Sequence, residues 1–406
     1  MDQAKAPVRD HLLSFCIAAM WAGMLWSRAM MSFAVVAFVA VAVLAYGPAL
    51  AWSALRREKM VWGLLLLFVI PLLTFPWTQE KDAWVRVMQL KLPLLALPFT
   101  LGAMRTASPR SIRLAARSIL AMTLLASVAV LVGYAMNMSE VHASYLRGAV
   151  MRVPMDNDHV RFGWALALMY LIVLDGLSFD GLNLPGLERR TAMIILVFLS
   201  LTIFILSSRT GLLGFFLVNG VAIWRSQGKR DRRYIITSLV LAPLLAFALL
   251  PSLRNRVRFM VWDFQNYSLG SYREGLNDAP RIISWQAGMD MMKERPTSGT
   301  GFGELHARME QWYAINRPAM PAYEHLDPSN EWLYHGAAAG LPGMSLFTIA
   351  VLLTYRRKAC SSWHAAWWLA VLGFLYEVGL ETQFGIFLFA FFLVWFLAQE
   401  RRREPA

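Results

Sequence analysis

Outside its apolar runs, this chain's most chemically useful residue type is arginine. Arg147, Arg152 and Arg161 lie close together, Arg209 stands in the turn SSRTG, and Arg254, Arg256, Arg258, Arg273 and Arg281 follow in the one long polar interval. Lysine is scarce among them. A guanidinium is planar and offers paired donors that match two phosphate oxygens at once, which an ammonium does not. The pattern therefore fits binding of phosphate oxygens. The competing account for the loop arginines is pairing with Asp156, Asp158, Glu274 or Asp278, or contact with lipid headgroups. That account is weaker for Arg161 and Arg209, which sit where helices enter a bilayer and where an unpaired charge is expensive.

Other polar residues are fewer. Lys91 lies within an apolar run, where it either reaches a diphosphate or snorkels its ammonium to the interface. Glu377 and Glu381, one helical turn apart, suit an acceptor sugar, an arginine partner or a plain interfacial role, and Asp175 lies near the end of another run. Cys16 and Cys360 are the two cysteines, each in or beside an apolar run, so no disulfide framework or thiolate metal site is available. No Asp-x-Asp pair accompanies the arginines and no His/Cys ligand cluster is visible, so the expectation is chemistry without a metal or cofactor.

The elements that must hold these residues are membrane helices. Hydrophobic residues make up 57% of 406, mean hydropathy is +0.46, and apolar runs of roughly 17–23 residues recur along the chain. These are the values of an all-α polytopic membrane protein. About twelve transmembrane helices are predicted, near 11–27, 31–52, 61–78, 86–104, 117–136, 161–178, 191–206, 212–225, 234–251, 331–355, 363–380 and 382–399. The first is read as an uncleaved span, because Lys5 and Arg9 precede it without a small-residue cleavage site. More than half of the 39 Lys and Arg residues, including Arg56, Arg57, Lys59, Arg105, Arg110, Arg189, Arg230, Arg356 and Arg401, fall on alternate connections and so on one side. Both termini are therefore expected in the cytoplasm and the long interval outside. That distribution also accounts for the net charge of +13 by orientation and anionic lipid contact, without nucleic acid.

The organisation expected is helices one to nine with short loops over 1–251, a large, partly helical outer loop over 252–330, and helices ten to twelve with a tail over 331–406. Within the loop, Asp278 and Pro280 mark a helix start, and Ile282, Trp285, Met289 and Met292 form one apolar stripe over 281–294. Pro296 ends it. The glycine turn TSGTGFG follows; it does not succeed a strand, so it is a tight turn rather than a nucleotide loop. A second amphipathic helix carries Leu305, Met309 and Trp312, and Asp327-Pro328-Ser329 reads as a helix start with Asp327 as its cap.

Three features together resemble the O-antigen ligase superfamily, which also holds the O-antigen polymerases. They are the turn SSRTG, the stretch RIISWQAGMDMMKERPTSGTGFG with Arg281, Trp285, Pro296, Gly299, Gly301 and Gly303, and the run SNEWLYHGAAAGLPG with Asn330, Gly340 and Gly343. The specific motifs cover about 207–343, and the similarity in topology covers most of the chain. The resemblance implies a GT-C-like membrane glycosyltransferase of the Gram-negative inner membrane with its active site facing the periplasm. It further implies an undecaprenyl diphosphate-linked glycan as donor and lipid A–core oligosaccharide as acceptor, joined by an inverting displacement. A polymerase, a protein O-oligosaccharyltransferase of the same superfamily, and a lipid or solute transporter remain open alternatives.

On that reading Arg147, Arg152, Arg161, Arg209, Arg281 and Lys91 would hold the donor diphosphate. The catalytic set would be His325, His335, Ser329 and Asn330. One departure matters: Ser329 stands where the family pattern has a histidine. A sugar hydroxyl is a weak nucleophile and needs a proton acceptor near neutral pKa, which serine is not. The base role then falls to His325 or His335, or this copy has none, with Glu331 and Glu377 next in line.

Overall fold

The computed structural model describes residues 8–178, 187–225, 229–266, 278–357 and 359–400, and among these no strand occurs. Lys5, Arg273, Glu274 and Arg401, all named above, lie outside the described residues. The N-terminal part holds α1 (Val8–Trp26), α2 (Arg28–Leu44), α3 (Pro48–Arg57), α4 (Lys59–Leu73), α5 (Lys81–Ala96), α6 (Leu101–Thr106), α7 (Pro109–Met136) and α8 (Met138–Tyr145). Next come α9 (His159–Ser178), α10 (Arg189–Leu206), α11 (Arg209–Arg225), α12 (Lys229–Leu249) and α13 (Pro251–Asn266). The chain ends with α14 (Ala279–Glu294), α15 (Leu305–Asn316), α16 (Glu331–Thr354), α17 (Ser361–Phe374) and α18 (Gln383–Glu400).

A helix occupies each of the twelve apolar runs, but not all are long and apolar enough to cross a membrane. Among the described residues six qualify, or up to eight if each of two bent pairs is one span. The run over 31–52 breaks at Gly47-Pro48, where α2 and α3 meet at 99°. The run over 363–380 stops at Phe374, which leaves Glu377 in the connection before α18. Helix α12 turns by 91° into α13 at Pro251, so α13 runs across the direction of the preceding helix instead of continuing it.

Helix α18 is apolar on every face, and a helix of that kind must be surrounded: Phe384 to Gln399 are all buried. It forms the centre of the bundle with α9, whose residues Phe162 to Asp175 are buried throughout.

The polar interval is built on α16. This helix carries a break at Gly340 (φ 69°), followed by Pro342, which has no N–H to give back to the preceding turn. The backbone groups so released are satisfied by the glycine turn. Thr300 and Gly301 donate their N–H groups to the carbonyls of Ala337 and Ala338 (2.9 and 2.8 Å), and Leu341 donates to the Pro296 carbonyl (2.8 Å). A side chain at Gly299 would lie 2.4 Å from the Ala338 backbone, so the turn seats here only without one. The glycines thus serve backbone docking on α16 as well as a tight reversal.

Helix α14 starts at Asp278-Ala279-Pro280 as the sequence predicts, but buries a different face. Ile283, Ser284, Ala287, Gly288 and Met291 are buried, while Met289 is exposed and Ile282 and Trp285 are half-buried. Close packing against α16 favours the face with small residues over the bulky stripe. Helix α15 buries Leu305, Met309 and Trp312 as expected.

Candidate functional site

A cavity of about 490 Å³ opens where the N-termini of α9, α11 and α14 converge; its lining includes His159 and Val160, Ser208 to Thr210, and Pro280 and Arg281. The first turn of a helix lies at the positive end of the helix dipole, so three such ends around one space favour an anion. Four arginines add to this: Arg147, Arg209, Arg256 and Arg281 all line the cavity, against the carboxylates of Glu324 and Glu377.

Local structure explains how the arginines are held. Ser207 ends α10 in the left-handed conformation (φ 50°), reversing the chain at SSRTG, and Ser208 Oγ accepts the Gly211 N–H at 3.2 Å to start α11. The Tyr145 hydroxyl, at the end of α8, donates to the Ile205 and Leu206 carbonyls and fixes this turn beside residues 147–150. Arg256, on α13, is only 8% exposed and donates to the Gly148 carbonyl at 2.8 Å. Arg281 bonds the Tyr376 carbonyl at 2.8 Å and the Glu377 carboxylate at 2.9 Å, and Arg209 pairs with Asp278. Even so, the Nε donors of Arg209 and Arg256 are buried without a hydrogen-bond partner. Buried donors of this kind are costly unless something accepts from them.

Glu377 ties the ring together from below. Burial pushes its carboxyl pKa up, but Arg281 and Arg161 outweigh this and hold it below the usual carboxylate value of 4.5. Arg161 itself sits behind Glu377, at 3.8 Å from it and 3.7 Å from Asp158, and donates to the Val378 carbonyl. It does not line the cavity.

The remaining residues expected in the site are placed elsewhere. Arg152 is exposed and outside the cavity lining. Lys91 is 1% exposed, with its ammonium bonded to Glu381 and to the Leu380 carbonyl, so it neither snorkels nor lines the arginine cavity. Ser329 receives a hydrogen bond from Ser284 Oγ and gives its N–H back to the same oxygen, pinning α14 to the start of α16. Asn330, not Asp327, caps α16: its Oδ1 accepts the Leu333 N–H at 3.1 Å while its Nδ2 donates to Leu375. These are positioning contacts.

Neither expected base faces the cavity. His325 stacks on Tyr313 at 4.3 Å, with Nδ1 at 2.7 Å from Glu310 and Nε2 at 3.2 Å from the Met320 carbonyl. Both ring nitrogens therefore face groups of the polar loop, and neither faces the cavity. His335 is fully buried against Phe347 and Phe302, with Nδ1 directed at the Glu331 carbonyl. The histidine that does line the cavity is His159, at the first position of α9. Sequence reading missed it; its place among Arg147, Arg152 and Arg161 was the available signal. Arg256 was recognised there as an outer arginine but not as part of this site.

The fold also assembles a group that the sequence does not reveal. Glu331, His335 and Glu381 bring ligand atoms within 4.8 Å of one another, a set able to hold a metal ion. Lys91 already supplies a cation to Glu381, and none of the three residues lines the arginine cavity.

Residues 194–348 match the family model described as O-antigen ligase, a stretch that includes Arg209, Arg256, Arg281, Ser329 and Gly340. The match supports membership of that superfamily. No curated protein matches the chain.

Proposed function

Taking residues 194–348 as a domain of the O-antigen ligase superfamily, we propose that this protein is a membrane glycosyltransferase that moves an O-antigen glycan from undecaprenyl diphosphate to a hydroxyl of lipid A–core oligosaccharide. The observation that carries this reading is the cavity where four arginines and three helix N-termini meet, two of the arginines with buried Nε donors still unpartnered. A diphosphate would supply acceptor oxygens to the guanidiniums that line this cavity.

In the reaction the acceptor hydroxyl oxygen bonds to the anomeric carbon as the bond from that carbon to the diphosphate oxygen breaks. The electron pair leaves with the diphosphate, whose added charge Arg209, Arg256 and Arg281 stabilise. The hydroxyl proton passes to a base, and His159 is the lining histidine available for it. Glu377 is committed to Arg281 and serves to position that guanidinium.

The deciding experiment is transfer of labelled glycan from undecaprenyl diphosphate by the pure protein, offered core-lipid, donor alone or a periplasmic acceptor protein, with and without EDTA. Modified core-lipid supports the ligase. Elongated donor means a polymerase, and glycosylated protein means a protein O-oligosaccharyltransferase. Movement of lipid across vesicles without transfer would mean a transporter. Loss of activity in EDTA would bring in the Glu331, His335 and Glu381 group.

The proposed setting is the Gram-negative inner membrane with both termini cytoplasmic and 252–330 periplasmic, motivated by the one-sided basic connections. A reporter fused at residue 230 should be inactive in the periplasm and one fused within 305–316 active; the reverse pattern rejects the orientation.

A further inference from the structure

The helix-borne arginines share their cavity with a wall of different chemistry, Tyr323, Glu324 and Leu326, contributed by the polar loop. Resting on the diphosphate reading above, we propose that Tyr323 and Glu324 form a lip that binds a pyranose ring, Tyr323 stacking on the face of the ring and Glu324 accepting from its hydroxyls.

The lip has a rigid support. Both residues belong to the short 3₁₀ turn Ala322–Glu324, in which the Glu324 N–H bonds the Pro321 carbonyl at 3.0 Å. The chain on either side of the turn is pinned. After it, the fully buried Tyr313 of α15 donates its hydroxyl to the Leu326 carbonyl at 2.9 Å and accepts the Leu326 N–H at 3.3 Å. Before it, the buried Met320 gives its N–H to the Arg317 carbonyl at 2.9 Å. A turn fixed at both ends holds its side chains at a defined place. Tyr323 is 74% exposed and still lines the cavity, which sets its ring at the mouth, and Glu324 is half-buried.

The occupant follows from these two chemistries. A carboxylate repels phosphate oxygens, so Glu324 marks a part of the lining that a diphosphate does not occupy. The same carboxylate is a strong acceptor for hydroxyl groups. An aromatic ring has an electronegative face that suits C–H groups, and tyrosine offers it at low entropic cost. A pyranose has both a C–H face and a rim of hydroxyls. An aliphatic tail has no use for Glu324, and a cation is repelled by the four arginines of the same cavity. In the reaction proposed above, the anomeric carbon is one bond from the diphosphate, so the donor's first sugar lies beside the arginines and the acceptor's sugar must reach the same carbon. Either ring satisfies the lip, and the experiment separates them.

The test uses the full chain in detergent as wild type, Tyr323→Ala, Tyr323→Phe, Glu324→Gln and Arg209→Gln. It measures binding of undecaprenyl diphosphate with and without its glycan, and initial transfer rates as core-lipid is varied. Tyr323 and Glu324 lie on a surface turn outside the buried core, so these variants are compatible with folding, and Tyr323→Phe keeps the ring. With the donor's sugar at the lip, wild type should bind the glycan-bearing form at least about tenfold more tightly than the bare one. Tyr323→Ala and Glu324→Gln should then remove most of that advantage, with affinity for bare undecaprenyl diphosphate unchanged, while Tyr323→Phe keeps it. With the acceptor's sugar at the lip, the same two variants should leave donor binding unchanged and raise KM for core-lipid by about tenfold with kcat little altered. Donor preference and core-lipid KM both unchanged in Tyr323→Ala and Glu324→Gln overturn the lip and leave the arginine site standing. A loss in Tyr323→Phe as large as in Tyr323→Ala overturns the stacking. Binding of bare undecaprenyl diphosphate that is absent, or indifferent to Arg209→Gln, removes the diphosphate reading itself and the lip with it.

Discussion

Arg281 lies 2.9 Å from the Glu377 carboxylate, joining the first turn of α14 to the connection between α17 and α18. The same carboxylate faces Arg161, so one acidic residue orders two guanidiniums. Folding lowers the Glu377 pKa beneath its ordinary 4.5. The ionised form is therefore favoured by the fold, and its stabilisation is fully present above the ordinary value and lost as pH falls through the lower folded one. Wild type should melt above Glu377→Gln at pH 7, with the gap closing below about pH 4.5. Thermal unfolding across pH checks this, and a gap that grows in acid contradicts it.

Arg209→Lys and Arg281→Lys keep the charge but lose the paired donors. Each should lower glycan transfer by about tenfold or more, at roughly 1.5–3 kcal/mol per charge-assisted bond. Arg152→Lys, exposed and outside the cavity, should stay within about twofold of wild type. Equal losses at all three positions, measured by initial rates, would mean the cavity does not select among them.

His159→Ala should reduce turnover by at least about tenfold with diphosphate affinity little changed. His325→Ala should leave turnover near wild type, because neither of its ring nitrogens faces the cavity. Ser329→His should gain nothing, since Ser329 is buried against Ser284. Single-turnover rates separate these outcomes; a large loss in His325→Ala with His159→Ala unaffected would return the base to the polar loop.

Lys91→Met leaves the Glu381 carboxylate buried without its cation and should destabilise the protein by about 3–5 kcal/mol. Lys91→Met combined with Glu381→Gln should recover most of that loss. Melting temperatures of the single and double variants decide the point, together with diphosphate binding by the folded single variant. Weakened binding at unchanged stability would put Lys91 back in the donor site.

Much of this protein is legible along the chain. Run length and hydropathy place helices at all twelve apolar segments, since helix periodicity and membrane thickness are properties of a contiguous stretch. The Asp278-Ala279-Pro280 helix start and the Leu305, Met309 and Trp312 face are likewise local. What only the tertiary structure decides is partnership across distance. Lys91 meets Glu381 290 positions away, and Arg161 meets Val378 217 positions away, so which arginine lines the cavity and which supports it from behind is set by how the helices pack. The stripe on α14 fails for the same reason: close approach to α16 favours the small-residue face that periodicity ranks second. The histidines are the sharpest case, because a motif at Ser329 draws attention to His325 and His335, while the packing of the helices brings His159 to the cavity.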